Sequence, residues 1–208
     1  MRLTSNSFAN GSPIPPGFAF GQPGPDSPCI LSANRNPHLA WSEVPEGTRS
    51  FVLTCIDLDV PTVPDTVNRE DLTIPADQPR TQFVHWLLAN LPADRREIAA
   101  GAYSDGVTAR GKRDAAPAAG GLQGLNDYTG WFAGDPEMAG DYLGYDGPCP
   151  PFNDARIHHY HFRLYALDVE KLELPVNYTL ADLQAAMEGH VLAEAELVGT
   201  YTLNPGLR

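Results

Sequence analysis

The residues that could do chemistry are concentrated in residues 145–168, YDGPCPPFNDARIHHYHFRLYALD, where a proline-rich turn precedes three histidines. Imidazole and thiolate are zinc ligands, so His158, His159, His161 and Cys149 first suggest a metal site. Side chains alternate between the two faces of a strand, however, so His159 and His161 share one face and His158 lies on the other. No second Cys/His pair has ligand spacing. We therefore predict no metal site and expect His159 and His161 to face solvent.

Patterns typical of catalysis or cofactor binding are not found in this sequence. There is no GxSxG elbow, and Cys149 lies between prolines without an activating base at a fixed spacing. No glycine-rich stretch has the form of a phosphate loop or a dinucleotide-binding unit. We assign no catalytic residue and no cofactor. What remains is a set of polar residues at the ends of apolar strands: Asp57, Asp59, His85, His158 and Tyr160.

Long apolar segments with a two-residue period predict the strands that position these groups. They cover residues 50–61, 81–92, 158–169 and 190–203, although the alanines and glutamates of the last also allow a helix. The alternation puts Asp57 and Asp59 on the face of the first strand that also carries the side chains of Phe51, Leu53 and Cys55. In the second strand it puts His85 on one face with Phe83, Leu87 and Ala89.

One helix has a clear start and stop. Thr179 followed by Asp182 resembles a capping box with Asp in place of Glu, and Gly189 is typical of a helix end. Residues 104–150 form a long, irregular segment whose aromatic residues favour packing over disorder. The fold class predicted is mainly β, a sandwich of two packed antiparallel sheets with one or two short helices.

Composition indicates one globular domain spanning residues 1–208, with 42% hydrophobic residues. The formal charge of −12 disfavours nucleic acid and anionic membranes as partners. No apolar stretch approaches the ~20 residues of a membrane span, and the N-terminus lacks a signal-peptide core. Three cysteines without CxxC spacing indicate reduced thiols. We therefore expect a cytoplasmic protein without stable membrane association.

Three motifs carry a resemblance to a known family. DLDVPT at 57–62 resembles the DPDAP motif of phosphatidylethanolamine-binding proteins, VHWLLANLP (84–92) their histidine-containing second motif, and GYDGPCPP with HHYHFRLYALD their GPxPP and HxY motifs. Their order and spacing are similar to those of the bacterial Raf-kinase-inhibitor-like (YbhB/YbcL) branch. The resemblance covers nearly the whole chain.

The resemblance implies a small preformed pocket for an anion such as phosphate, acetate or a phosphoethanolamine head group. The lining residues that it implies are Asp57, His85, His158 and Tyr160, with Gly147, Pro148, Pro150 and Pro151 as the rim. Asp59 is implied to hold the loop and its neighbours. Phe83 stands where animal relatives carry a tryptophan in the pocket wall, and Leu58 and Val60 depart from DPDAP.

Elementary chemistry supports these roles but leaves that of Asp57 open. Two histidines, at least partly protonated, and a tyrosine hydroxyl would supply donors to an anion. Asp57 would raise the pKa of His85 or His158, or instead accept from the ammonium of an ethanolamine head group. We predict a non-enzymatic binding module, with signalling or enzyme inhibition by analogy. A hydrolase or transferase using the Asp/His cluster and a protein-interaction module acting through the long loop are the alternatives.

Two further expectations concern the segment before the proline-rich turn and the C-terminus. Residues 131–143 look like an insertion that covers the pocket or contributes to an interface. By family analogy we expect a homodimer, to which the Trp131–Tyr145 segment would contribute. Animal relatives end in a helix beside the pocket, and nothing after Thr202 is long enough to form one.

Overall fold

The computed structural model describes residues 1–208 and is mainly β, as predicted. Two single-turn 3-10 helices, Pro16–Phe18 and Pro64–Thr66, accompany eleven strands and two α-helices. The strands are β1 (Arg2–Thr4), β2 (Ser12–Pro13), β3 (Gly21–Gln22), β4 (Ile30–Leu31), β5 (Leu39–Ser42), β6 (Ser50–Pro61), β7 (Arg80–Pro92), β8 (Glu97–Ile98), β9 (Leu122–Gln123), β10 (His158–Leu167) and β11 (Val191–Tyr201). The helices are α1 (Tyr128–Trp131) and α2 (Leu180–Met187).

The strands form one large sheet and two small ones. The large sheet has the order β2-β11-β10-β6-β7-β9, and the others are β1-β5-β8 and β3-β4. All pairs are antiparallel except β11 with β2, which is parallel. The four long strands, β6, β7, β10 and β11, correspond to the four predicted ones, and the last segment is a strand instead of the helical alternative.

The central strands β6 and β7 are buried on both faces for most of their length, which explains why they are apolar on both sides. One face packs against the β1-β5-β8 sheet, where Phe51, Leu53 and Phe162 meet Leu39 and Trp41 in the main core. The other face is covered by α2 and the loops before it; this second cluster includes Val52, Leu87, Leu183 and Met187. The large sheet is therefore a rigid base for side chains at its ends.

A β-bulge at His85 changes the predicted faces of β7. Cys55 of β6 lies opposite Trp86, while the next residue, Ile56, lies opposite Val84. His85 is therefore an extra residue in β7 without a partner on β6. The bulge lets His85 and Trp86 point to the same side of the sheet, so that Trp86 fills the main core while His85 reaches the end of the sheet.

The prediction that Leu87 and Ala89 share a face with His85 is therefore wrong. Both residues pack in the second cluster, beneath α2, whereas His85 and Phe83 lie together with their ring centroids 5.0 Å apart. A strict two-residue period cannot anticipate this change, because one inserted residue reverses the side for everything beyond it.

The predicted helix start and stop are both confirmed. The Thr179 hydroxyl accepts from the Asp182 backbone N–H, and the Asp182 carboxylate accepts from the Thr179 N–H at 2.8 Å. Gly189 has a φ of 79°, the left-handed conformation that ends many helices. After β11 the chain has no further helix. Neither helix could span a lipid bilayer, since both are too short and too polar.

Residues 104–150 pack against the large sheet. They contain only β9 and α1 as regular elements, and Tyr128, Tyr142 and Tyr145 are buried. Stacking of Tyr128 on Phe20, with ring centroids 4.5 Å apart, ties this segment to the N-terminal region. The expectation of packing over disorder is met.

Candidate functional site

A cavity of about 120 Å³ opens where β6 ends and where β7 and β10 begin. Its floor is polar and contains Asp57, His85, His158 and Tyr160, the four residues predicted to line a pocket. Asp57 lies directly opposite Tyr160 across the β6–β10 ladder, which places the two motifs side by side. All four side chains are buried, with at most 3% of their surface exposed. The sheet thus assembles residues that are far apart in sequence.

His158 is held between two carboxylates. Its Nδ1 lies 2.6 Å from Asp57 Oδ2, and its Nε2 lies 3.0 Å from Asp154 Oδ2. A carboxylate only accepts, so each ring nitrogen carries a proton and His158 is an imidazolium. Burial alone would lower the pKa of His158, but the hydrogen bonds and charges of Asp154 and Asp57 outweigh it and raise the pKa to about 9. His158 is charged at neutral pH, yet both of its N–H groups are already used.

Arg80 completes this buried charge cluster. Its guanidinium forms a bidentate pair with Asp154, with N–O distances of 2.5 and 3.1 Å, and also donates to the Asp59 carbonyl at 2.8 Å. Burial would raise the pKa of Asp154, but His158 and Arg80 lower it. Two carboxylates, one imidazolium and one guanidinium balance to zero charge. The cluster therefore fixes the positions of the side chains in the cavity floor, but it offers no net positive charge to an anion.

His85 is a different kind of histidine. Its Nδ1 lies 2.7 Å from the Asp146 carbonyl oxygen, which can only accept, so the proton of the neutral ring lies on Nδ1. Burial lowers the pKa of His85, although the charges of Asp57 and Asp146 partly oppose this effect. No protein group hydrogen-bonds to Nε2, which faces the cavity with a lone pair in the neutral form.

Asp146 is the residue that holds His85 in place. Its backbone N–H donates to the His85 carbonyl at 3.0 Å, in addition to accepting from the ring. Its buried carboxylate accepts from Asn34, Lys112 and Asn126 at 2.7, 2.6 and 2.8 Å. This network fixes the backbone of the segment just before the proline-rich turn.

The hydroxyl of Tyr160 is buried and has no hydrogen-bond partner. Burial and the nearby charge of Asp57 raise the pKa of Tyr160 well above its ordinary value, so the hydroxyl keeps its proton. The rings of Tyr160 and His85 lie at 69° with centroids 5.1 Å apart, and both residues line the cavity. An unsatisfied buried hydroxyl costs free energy, and a ligand oxygen in the cavity would remove that cost.

The cavity walls are apolar and aromatic. Phe83, Phe20 and Tyr128 line one side, and Trp131 and Phe132 from α1 and the residue after it reach the same space. Of the 131–143 segment, which was expected to cover the pocket or contribute to an interface, Trp131 and Phe132 line the cavity. Residues 133–137, by contrast, are exposed to solvent.

The proline-rich turn contributes only its second half. Pro150, Pro151 and Cys149 line the cavity, whereas Gly147 and Pro148 lie behind it. The Gly147 carbonyl accepts from the Tyr128 hydroxyl at 2.8 Å, and the Pro148 carbonyl accepts from backbone N–H groups of β3 and the residue before it. The rim is therefore narrower than predicted: Pro150 and Pro151 line the cavity, whereas Gly147 and Pro148 anchor the turn.

Asp59 departs from its predicted face. Three steps along β6 from Asp57 to Val60 match two steps along β7, so a second bulge lies between them. Val60 lines the cavity beside Asp57, while the Asp59 carboxylate accepts from the His159 backbone N–H at 3.0 Å. It also lies 2.8 Å from Nδ1 of His159. The role implied for Asp59, holding its neighbours, matches these contacts.

The clustered histidines separate as strand alternation predicts. His159 is exposed and beside Asp59, while His161 is partly exposed and lies 2.9 Å from Glu196. His158 points inward. Each of the three imidazoles therefore contacts a different set of carboxylates, and they do not converge on one point.

Sequence reasoning missed Arg80, Asp154, Asp146 and Tyr128. Asp146 lies inside the quoted motif, directly before Gly147, and Asp154 lies four residues before His158. An acid this close to a buried histidine was a usable signal. No sequence pattern pointed to Arg80, because it reaches Asp154 only through the path that the 61–80 loop takes in the folded chain.

Comparisons with known proteins agree with this architecture. A family model described as phosphatidylethanolamine-binding protein matches residues 4–202. The UPF0098 protein YbhB of Escherichia coli is 30% identical over 97% of this chain and 100% of its own. A UPF0098 protein of Chlamydia trachomatis is 34% identical over 97% and 98%.

The structural comparison points the same way. The crystal structure of Escherichia coli YbcL, described as a new member of the mammalian PEBP family, superposes with a TM-score of 0.67. It is 29% identical and covers 97% of each chain. With the motifs assembled around one cavity and the family model matching nearly the whole length, this chain belongs to the phosphatidylethanolamine-binding protein family.

Proposed function

We propose that this protein is a non-enzymatic binding module whose cavity takes a small anion, either free or as the head group of a larger molecule. The observation that carries the proposal is the buried Tyr160 hydroxyl, which has no partner and belongs to a ring that packs against His85 with centroids 5.1 Å apart. Two unpaired polar atoms at the base of an apolar-walled cavity are typical of a site that orients a ligand.

Whether each of these two atoms donates or accepts a hydrogen bond determines which protonation state of an anion can bind. Tyr160 offers a donor, but neutral His85 offers an acceptor, and the floor has no spare cation. A fully deprotonated anion would therefore meet only one donor. Binding becomes favourable when a proton joins the complex, either on His85 or on the anion itself, as in a phosphate monoanion. The site should thus take up one anion together with one proton.

Cavity size limits what enters. At about 120 Å³ the cavity is close to the ~150 Å³ of an engineered cavity that holds benzene. A phosphate or phosphoethanolamine group suits this size, whereas acyl chains would have to stay outside. The aromatic walls at Phe83, Trp131 and Phe132 would contact an apolar linker next to the anionic group.

The contacts of Asp57 favour one of its two open roles. Its Oδ2 binds His158 and its Oδ1 accepts from the Asp59 backbone N–H at 2.8 Å. A carboxylate with both oxygens engaged is better suited to orienting His158 than to receiving an ammonium. We therefore place the ethanolamine nitrogen, when present, outside this group.

Binding is favoured over catalysis by the same geometry. A hydrolase or transferase would need a base hydrogen-bonded to a nucleophile. Both nitrogens of His158 are bound to carboxylates, and Asp57 contacts His158 instead of His85. The thiol of Cys149 lines the cavity, but its hydrogen bond to Cys29 and its burial raise its pKa well above the ordinary value.

Calorimetric titration with phosphate, phosphoethanolamine and acetate tests the proposal. Wild type should bind the phosphate compounds, and His85→Ala should weaken that binding by tenfold or more. Phosphorus NMR of the same samples reports turnover. Binding without turnover supports the proposal, and turnover abolished by His85→Ala would establish the enzymatic alternative. A folded wild type that binds none of the three anions would leave the protein-interaction alternative.

A further inference from the structure

Two cysteines meet at the wall of the cavity although 120 residues separate them in sequence. The Sγ atoms of Cys29 and Cys149 are 3.7 Å apart, about van der Waals contact, and both thiols are free. Each is partly exposed, whereas the third cysteine, Cys55, is fully buried in the main core. The chain thus carries one juxtaposed dithiol and one isolated thiol.

Gly21 makes room for this pair. A Cβ atom at residue 21 would lie 2.5 Å from the sulfur of Cys149 and 2.7 Å from that of Cys29. Both sulfurs therefore occupy the space above the Gly21 backbone, which any other residue would fill. Gly21 is itself fixed, because its N–H donates to the Pro148 carbonyl at 3.1 Å and its carbonyl accepts from the Tyr201 hydroxyl at 2.9 Å.

The two thiols differ in reactivity. A hydrogen bond from the Cys149 thiol lowers the pKa of Cys29 to about 7, so a large fraction of Cys29 is thiolate near neutral pH. The pKa of Cys149 is raised. An accessible thiolate beside a protonated thiol is the arrangement of an attacking cysteine with a resolving partner.

We propose that Cys29 and Cys149 are a redox-active pair that forms a reversible disulfide when the protein meets a low-molecular-weight disulfide such as glutathione disulfide. The Cys29 thiolate attacks one sulfur of the oxidant and expels a glutathione thiolate, leaving a mixed disulfide. Cys149 then gives up its proton and attacks the sulfur of Cys29, expelling the second glutathione. Two protein thiols are oxidised to one disulfide, and one glutathione disulfide is reduced to two thiols.

The bond would join the proline-rich turn of the cavity wall to the segment between β3 and β4. Cys29 lies directly before β4, and Cys149 lines the cavity between Pro148 and Pro150. Cross-linking residues that are far apart in sequence restricts the unfolded chain, so the oxidised protein should unfold at a higher temperature. Disulfide formation does not require anion binding.

Intact-mass spectrometry of the reduced protein after incubation with glutathione disulfide tests the proposal. Wild type and the matched control Cys55→Ser should lose the mass of two hydrogens and yield a linked peptide pair containing residues 29 and 149. Cys149→Ser should instead keep one glutathione on Cys29. Thermal unfolding midpoints should rise on oxidation in wild type and Cys55→Ser but not in Cys29→Ser.

Two results would overturn the proposal. One is a wild type that stays fully reduced at oxidant concentrations that modify Cys29 in Cys149→Ser. The other is a wild type that retains glutathione on Cys29, as Cys149→Ser does, because a resolving partner at 3.7 Å should displace it.

Discussion

At the scale of single residues, Tyr160 is the site residue whose contribution to binding can be separated from stability. Its hydroxyl has no partner in the structure, so Tyr160→Phe removes an unsatisfied buried group. We predict that this variant weakens phosphate binding by about tenfold while the free energy of unfolding stays the same or rises by about 1 kcal/mol. Calorimetry and urea unfolding measure the two quantities.

Tyr178→Phe is the matched control for that change. The Tyr178 hydroxyl is far from the cavity and donates to the Leu122 carbonyl at 2.7 Å. Its removal should lower stability by about 1 kcal/mol and leave phosphate affinity unchanged. Equal losses of stability in the two variants would show that the Tyr160 hydroxyl is satisfied in solution.

His158 sets a pH dependence of stability. Its pKa is about 9 in the folded protein and about 6.5 when unfolded, so its stabilisation is complete below pH ~6.5. Between pH ~6.5 and about 9 the unfolded chain gives up this proton while the folded protein keeps it, so about 3 kcal/mol of stability is progressively lost and is gone once the pH passes about 9. Urea unfolding across this range measures the loss, and His158→Gln should lack it. A His158 imidazole that titrates near pH ~6.5 by NMR would contradict the charged cluster.

At the scale of elements, Arg80 joins three parts of the chain at the start of β7. It binds Asp154 before β10, the Asp59 carbonyl in β6 and the Pro75 carbonyl of the 61–80 loop. Arg80→Gln leaves the Asp154 carboxylate buried with one fewer cation, and we predict a loss of about 3–5 kcal/mol in unfolding free energy. Urea unfolding is the measurement.

The exposed pair Arg69–Asp71 in the same loop provides the control for Arg80. Its side chains are half or more exposed, so Arg69→Gln should leave the urea midpoint unchanged. If Arg80→Gln also left the urea midpoint unchanged, the buried cluster would not be needed to hold the loop against the cavity.

The cap of α2 gives a separate test of an element predicted from sequence. Thr179→Ala removes the side chain that accepts from Asp182, and should cost about 1 kcal/mol in urea unfolding. Thr179→Ser keeps the hydroxyl and should retain most of that stability. An equal loss in both variants would place the effect in packing instead of capping.

The elements also show where sequence reasoning succeeds and where it stops. Long apolar runs predicted the four long strands, and Thr179 with Asp182 predicted the helix start, because these signals are local. The bulges at His85 and before Val60 are set by cross-strand pairing, and they reversed the predicted side of Leu87, Ala89 and Asp59. Asp57 was expected to raise the pKa of His85 or His158, and Asp154 lies four residues before His158, but tertiary contacts decide that both carboxylates meet on this one imidazole.

At the scale of the whole molecule, oligomeric state remains a prediction. We propose a homodimer from family analogy, with the Trp131–Tyr145 segment as a contributor. Tyr142 and Tyr145 are buried within the chain itself and Phe132 is half-buried, so Trp131, 48% exposed, is the aromatic residue of that segment most available to a partner. Analytical ultracentrifugation should show a dimer that Trp131→Ser weakens. A monomer at high concentration would remove the proposal.

The net charge of the whole molecule opposes the binding of an anion at the site. With a formal charge of −12, the protein repels anions until a proton or a donor compensates. The neutral cluster around His158 supplies no such excess, so we expect a proton to be taken up together with the anion. Added salt should screen the repulsion and change affinity only modestly, since the contacts themselves are buried.

The most direct test is calorimetric titration with sulfate at several pH values between about 5 and about 8, around the ordinary imidazole pKa of ~6.5. Sulfate carries no titrating proton in this range, so any proton taken up on binding must come to the protein. We predict that affinity rises towards tenfold per unit fall in pH in wild type, and that His85→Gln abolishes this dependence. Affinity independent of pH in wild type, or a dependence unchanged in His85→Gln, would show that His85 does not take up a proton with the anion.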